Sequence, residues 1–258
     1  MNSISVIKIG GKVISDTEKL DAALRSFQSI PGPKILVHGG GSEASSLAEK
    51  MGVKVNMIEG RRITDKKMID IVTMVYGGLV NKRIVAKLQS MGANAIGLSG
   101  ADGNTIISDL RPVGEINYGY VGDIKNVNGV ALVNLLQAGF IPIFCALTHD
   151  GNGLMLNTNA DTIASEVAKE LSKSFDVRLF YAFELPGVLT DISDEKSVIS
   201  KIREQDFESM KVSGQIVKGM IPKIHNALNA SKAGVDRVYI GQFCNLDHPE
   251  KGTEICMI

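Results

Sequence analysis

Tryptophan is absent and aromatic residues make up only 5% of the 258, which argues against recognition of bases or sugars by stacking on rings. Cysteine is scarce. Cys145, Cys244 and Cys256 form no CxxC pair, which excludes a disulfide framework and a cysteine-built zinc site and suits a reducing compartment. Neither sign of charge is in excess, with 28 Lys+Arg against 28 Asp+Glu, so the basic face that a nucleic-acid binder needs is missing. No uncharged apolar run reaches the roughly 18 residues of a membrane span. The opening MNSISVIKIGGK lacks a basic leader, an apolar core region and a cleavage site. The expectation is a cytoplasmic protein with no nucleic-acid or membrane partner. HExxH, HxxxH and clustered carboxylates are absent, so no metal site of the protein's own is expected. GxxxxGK[ST] is absent as well, which excludes a P-loop.

What remains is the balance of an ordinary globular chain, 44% hydrophobic and 22% charged, with ample length for an α/β core. Apolar, β-rich runs alternate with helical patterns. Ser5–Ile9 reads as a strand stopped by Gly10 and Gly11. Asp16 caps a helix with Leu20, Ala23, Leu24 and Phe27 on one face, and 34–38 is the next strand, leading to a helix at Ser42. Thr64 or Asp65 caps a long helical region reaching Met91, with a break at Gly77-Gly78. Short strands at 94–98, 105–110 and 118–127 suggest hairpins laid over one end of the sheet. Helices at 130–138 and 160–172 alternate with strands at 140–147 and 177–183. A last helix starts near Met220, and 235–240 is the closing strand. Such alternation predicts a parallel sheet covered by helices, in one α/β unit with two lobes.

Ligands of open parallel sheets bind beyond the carboxyl ends of the strands, and each motif falls at such a place. Lys8 sits near the end of the first strand. It either blunts an edge strand or faces a ligand that the adjoining glycines let approach. His38-Gly39-Gly40-Gly41-Ser42 is a strand-to-helix turn whose backbone N–H groups suit an anion, or simply a tight turn. Gly39-x-Gly41-x-x-Ala44 with Glu59 also matches the loose dinucleotide fingerprint, a weak signal alone. In Gly60-Arg61-Arg62-Ile63-Thr64 two guanidinium groups precede a helix start. They offer a bidentate hold on a carboxylate, against a solvated surface pair. Asn157-Thr158-Asn159-Ala160-Asp161 carries more Asn and Asp than capping needs, although Asn159 or Asp161 can be the cap. Pro222 sets a helix start with Lys223 in its first turn, where the macrodipole disfavours a cation unless an anion lies between them. His38, His149, His225 and His248 have no nucleophile or ligand partner at useful spacing and read as structural or peripheral.

Together, Lys8 with Gly10-Gly11, the HGGG turn, GRRIT, LNTNAD and Gly219-Met220-Ile221-Pro222-Lys223 resemble the amino-acid kinase family, in order and spacing, from about residue 4 to 245. Within it the chain is most similar to the branch acting on N-acylated glutamate in arginine biosynthesis. The resemblance implies a three-layer α/β/α sandwich around a mostly parallel sheet of about eight strands. It implies an N-terminal lobe, about 1–155, for the acylglutamate and dimerisation, and a C-terminal lobe, about 156–258, for the nucleotide. It implies ATP as co-substrate, Mg²⁺ carried by that nucleotide, and a homodimer. By matching position, Lys8 and Lys223 stabilise the transferring phosphoryl group and Asp161 orients those lysines. Gly40, Gly41, Arg62, Asn157 and Asn159 bind the acylglutamate, and Gly10, Gly11, Glu184, Gly187 and Gly219 serve the nucleotide. The chemistry agrees: a carboxylate nucleophile is already ionised, so the site needs positive charge and alignment rather than a base.

Two departures stand out. Ala182-Phe183-Glu184-Leu185-Pro186 replaces the usual Ser/Thr-Asp pair, so Glu184 stands where the family has aspartate. The stretch 144–148 lacks the usual glycine, which leaves acetyl and succinyl open as the acyl group. Arginine-inhibited members carry an N-terminal helix that links dimers into hexamers; with the first strand starting at about residue 4, the expectation is a homodimer without that helix and without arginine feedback. Rival readings are another carboxylate kinase of the family, such as glutamate 5-kinase, a dinucleotide oxidoreductase, and a sensor that binds both ligands without turnover.

Overall fold

The computed structural model describes residues 3–58, 60–191, 193–216 and 220–257. The chain runs β1 (Ser3–Ile9), α1 (Gly11–Ile14), α2 (Thr17–Ser29), β2 (Lys34–His38), α3 (Gly41–Lys50), β3 (Met57–Ile58), β4 (Arg61–Arg62) and α4 (Lys66–Val72). A π-helical segment, Thr73–Val80, leads into α5 (Asn81–Ser90), β5 (Ala95–Leu98), β6 (Ile106–Leu110), β7 (Gly122–Val127), α6 (Gly129–Gln137), β8 (Ile141–Cys145), β9 (Leu147–His149) and β10 (Met155–Asn157). Then come α7 (Ala160–Ser172), β11 (Asp176–Phe183), β12 (Lys201–Arg203), α8 (Glu204–Val212), α9 (Ile221–Lys232), β13 (Arg237–Gln242) and β14 (Thr253–Cys256).

Eight of these strands form one sheet in the order β12-β14-β13-β11-β1-β2-β8-β5. Its β1·β11, β11·β13, β12·β14 and β5·β8 pairs are parallel, and β13·β14 is antiparallel. The alternation of helix and strand is thus realised as the expected mostly parallel α/β sheet. Because β1 lies between β11 and β2, the edge-strand reading of Lys8 is excluded. A cation in an interior strand needs a reason other than blunting an edge. Val235–Ile240 does not close the sheet either. β14 follows β13 and folds back on it, Val238 opposite Ile255.

The chain divides into two compact units, one of residues up to Leu36 with those from Ala164 onward, the other Val37–Ile163. The lobes expected from the sequence met at about 155. The units divide elsewhere because β1 pairs along its whole length with β11, Ser3 opposite Asp176 and Ile9 opposite Ala182. In the first unit α2 buries Leu20, Ala23, Leu24 and Phe27, and Asp16 caps it by accepting from the N–H groups of Glu18 and Lys19, both at 3.1 Å.

The second unit holds the short strands. Of those expected as hairpins, 94–98 is β5 and joins the edge of the eight-stranded sheet beside β8 instead; β6 and β7 do pair antiparallel, within a four-stranded sheet of order β10-β9-β6-β7, while β3 and β4 make a two-residue ribbon. Asp65 caps α4 by accepting from the Met68 N–H at 2.8 Å. The break expected at Gly77-Gly78 is a widening of the helix instead. The π-helical segment carries the backbone from α4 into α5 without interruption, a feature often found next to functional sites.

Candidate active site

In the Val37–Ile163 unit, the carboxyl end of β2 opens into the glycine turn. Gly40 is the N-cap residue of α3, and among the described residues no side chain caps that helix. Its leading N–H groups therefore face outward with the positive end of the dipole. Gly40 has a steric reason to be glycine, because a Cβ there would lie 2.7 Å from the Tyr76 ring. Tyr76 is buried, which pushes its phenol pKa up, with the Arg62 charge pulling the other way.

Arg62 is the second feature of this site. Its side chain is buried at 7% exposure. Nη2 donates to the Gly41 carbonyl at 2.9 Å and to Ser45 Oγ at 2.8 Å, fastening β4 to the first turn of α3. Among the described residues no carboxylate pairs with this guanidinium. A buried, unbalanced cation beside a helix N-terminus is costly unless an anion joins it. The neighbouring backbone is braced by Thr64, whose Oγ1 donates to the Arg62 carbonyl at 3.1 Å and accepts from Asn157 Nδ2 at 2.9 Å. Asn159 caps α7, its Oδ1 accepting from Asp161 N–H at 2.7 Å and Thr162 N–H at 3.2 Å. Of the two candidate caps it is Asn159 that serves, leaving Asp161 in the first turn.

In the other unit, Lys8 lies opposite Tyr181 at the carboxyl end of β1, and Gly10 is the N-cap of α1. A Cβ on Gly10 would come within 4.0 Å of Lys8 Nζ, so the lysine leans over the glycine turn. Lys223 falls in the first turn of α9, with a proline at the helix start as expected, and its Nζ lies 6.0 Å from the centre of the Phe183 ring. Glu184, just beyond β11, pairs with Lys19 at 2.6 Å and Lys12 at 3.6 Å. The Lys19 hydrogen bond holds its carboxyl below the usual range. Gly187 is packed rather than open: a Cβ would fall 2.7 Å from Thr253 Oγ1 and 2.8 Å from Val198. Gly219 and Glu59 lie outside the described residues.

The fold therefore gathers Gly40, Gly41 and Arg62, with Asn157 joined to them through Thr64. It separately places Lys8, Gly10 and Gly11 on one turn. Tyr76, Ser45 and Asn81 escaped the sequence reading. Tyr76 sits among apolar residues in a helical stretch and carries no local signal. Asn81, a buried amide, departs from the apolar period, and that departure was its one clue. Cys145 is buried with its thiol pushed up to about 12 by desolvation, so it is not a nucleophile. Among the described residues no group of three His, Cys, Asp or Glu gathers to hold a metal ion.

Comparison with known proteins matches residues 3–242 to the amino acid kinase family. An acetylglutamate kinase from Parabacteroides distasonis is 50% identical over 255 residues, covering 99% of this chain and 100% of that protein. One from Cytophaga hutchinsonii is 52% identical over 243 residues, 94% of this chain and 92% of that protein. A solved structure from Streptococcus mutans is 30% identical, with a TM-score of 0.78 and 99% of both chains covered.

Proposed function

The chain belongs to the amino acid kinase family, and from that premise we propose that it transfers the γ-phosphoryl group of ATP to the side-chain carboxylate of N-acetyl-L-glutamate. The products are the acylglutamyl 5-phosphate and ADP, in arginine biosynthesis. The observation that carries this reading is the buried Arg62 guanidinium, bound to Gly41 and Ser45 beside a helix N-terminus, with neither a carboxylate partner nor a side-chain cap among the described residues. A substrate carboxylate completes it, with Asn157 alongside and the Gly40 and Gly41 N–H groups on the same ligand. Relatives named acetylglutamate kinase at about half identity support acetyl as the acyl group.

Lys8 and Lys223 supply positive charge where phosphoryl transfer builds negative charge, and Gly10 and Gly11 let the nucleotide phosphates come close to backbone N–H groups. Asp161 takes the orienting role that its place in the family motif implies. Mg²⁺ arrives as the counter-ion of ATP and shields the polyphosphate from the incoming carboxylate. Glu184, engaged by Lys12 and Lys19, acts on the nucleotide by holding those lysines. The scarcity of cysteine, with no disulfide among the three, suits the cytoplasm, and a homodimer is the assembly implied by family resemblance.

A hydroxylamine-trapping assay with MgATP tests the reading, offering N-acetyl-L-glutamate, N-succinyl-L-glutamate, glutamate and aspartate in parallel. The expected result is hydroxamate from N-acetyl-L-glutamate. Hydroxamate from free glutamate alone would assign the chain to another carboxylate kinase activity. Binding of both ligands with no hydroxamate would make it a sensor. Sedimentation velocity checks the dimer.

A further inference from the structure

His38 is fully buried at the end of β2, immediately before the glycine turn, and the acylglutamate reading gives it no part. Its surroundings nevertheless fix which ring nitrogen carries the proton. Asn81, 1% exposed, sets its Nδ2 3.0 Å from His38 Nε2 and 2.8 Å from the Ile143 carbonyl. Its Oδ1 accepts from Lys82 Nζ at 3.1 Å. The lysine only donates and the carbonyl only accepts, so the amide cannot be turned round. Both Nδ2 hydrogens are then committed, one to Ile143 and one to Nε2. Nε2 must present a lone pair, and the proton of the neutral ring sits on Nδ1. Nδ1 lies 2.7 Å from the Gly39 carbonyl and donates to it.

That bond has a directional consequence. The Gly39 carbonyl and the Gly40 N–H belong to one planar trans peptide and point opposite ways. Fixing the carbonyl towards His38 aims the Gly40 N–H away from it. Three successive glycines have no side chains to hold this plane themselves, so an external anchor is needed. The fold makes room for the anchor: a Cβ on Gly97 would fall 1.9 Å from Asn81 Oδ1.

We propose that His38 and Asn81 are positioning residues for acceptor binding, Asn81 holding the ring proton on Nδ1 so that His38 orients the Gly40 N–H towards the substrate carboxylate. This rests on the acylglutamate reading for the identity of the acceptor, not for the geometry of the relay.

Two measurements test it. Long-range ¹H–¹⁵N correlation spectra of the free protein at neutral pH should show His38 protonated on Nδ1 only. Protonation on Nε2 would overturn the proposal whatever the substrate. Steady-state kinetics then compare His38→Asn, whose amide nitrogen falls near the Nδ1 position, with His38→Gln, whose amide nitrogen falls near Nε2, and with Asn81→Ala. The expected outcome is an acceptor KM raised about tenfold in His38→Gln and Asn81→Ala, an unchanged KM for ATP, and a near-normal acceptor KM in His38→Asn. Equal losses in both histidine variants, or parallel changes in both KM values, would reduce the pair to a packing element. Should the trapping assay name another carboxylate, that acceptor replaces acetylglutamate in the titration and the relay stands or falls separately. If no carboxylate is bound or turned over, both readings fall.

Discussion

A side chain at Gly40 would have to displace the Tyr76 ring, and Tyr76 is itself buried, so the turn must move instead. Gly40→Ala is expected to lower kcat/KM for the acceptor by about 10²-fold, the scale of an ångström-sized misplacement, while KM for ATP holds. Charge acts differently. On the roles proposed for them, Lys8→Ala and Lys223→Ala should each lose about 10²–10³ in kcat, because a charge that stabilises the transferring phosphoryl group matters most in the transition state. Arg62→Ala should show chiefly in the acceptor KM. An unchanged kcat in Lys223→Ala would sink the argument from a cation placed against its helix dipole. His38 adds a pH dependence of stability. Burial, with a contribution from the Lys82 charge, lowers its pKa to about 4 from 6.5, against the Gly39 hydrogen bond. Between pH 6.5 and 4 the unfolded chain takes up a proton that the folded one refuses. Folding stability therefore falls as pH drops through that window, by about 3 kcal/mol in all from this group. Urea melts of wild type against His38→Asn across pH 4 to 7 should show the wild type alone losing that increment.

Among the helices, α2 and α4 start where the sequence reading placed caps, because an Asx carboxylate followed by an apolar period is a local signal. Asp65→Ala removes the acceptor for the Met68 N–H and should cost about 1 kcal/mol in chemical denaturation. The π-helical segment was not legible in the same way. Paired glycines look like a stop, yet whether N–H groups reach one residue further back depends on what packs around them, not on composition. Gly78 stands exposed there with nothing within 4 Å of a Cβ, so Gly78→Ala is expected to raise stability by about 0.5–1 kcal/mol, read as a higher urea midpoint. Gly40 and Gly78 belong to the same chemical type and carry opposite predictions, which separates a sterically required glycine from a merely permitted one.

Motif spacing pointed to the family to which the chain belongs, but not to which parts cluster. Strand and helix periods are local, whereas the pairing of β1 with β11 leaves no mark in either segment. A boundary drawn along the sequence could not assign the first residues to the later half. The same holds for Glu184, whose departure from the family aspartate was visible, while its engagement by Lys12 and Lys19 required the fold. Arg62 stood out in the sequence as a candidate carboxylate binder because GRRIT precedes a cap. That no carboxylate among the described residues pairs with it emerged only from the buried surroundings.

The place of β1 inside the sheet also has a bearing on synthesis. One edge of β1 meets β2 soon after it is made, but Ser3 cannot meet Asp176 until the ribosome has delivered most of the chain, about ten to thirty seconds later at ordinary elongation rates. Throughout that interval the nascent protein carries an apolar strand with an open hydrogen-bonding edge, the condition under which chains pair with their neighbours. Slowing translation between β2 and β11 should therefore reduce the yield of folded protein, and pulse-labelled solubility would record it.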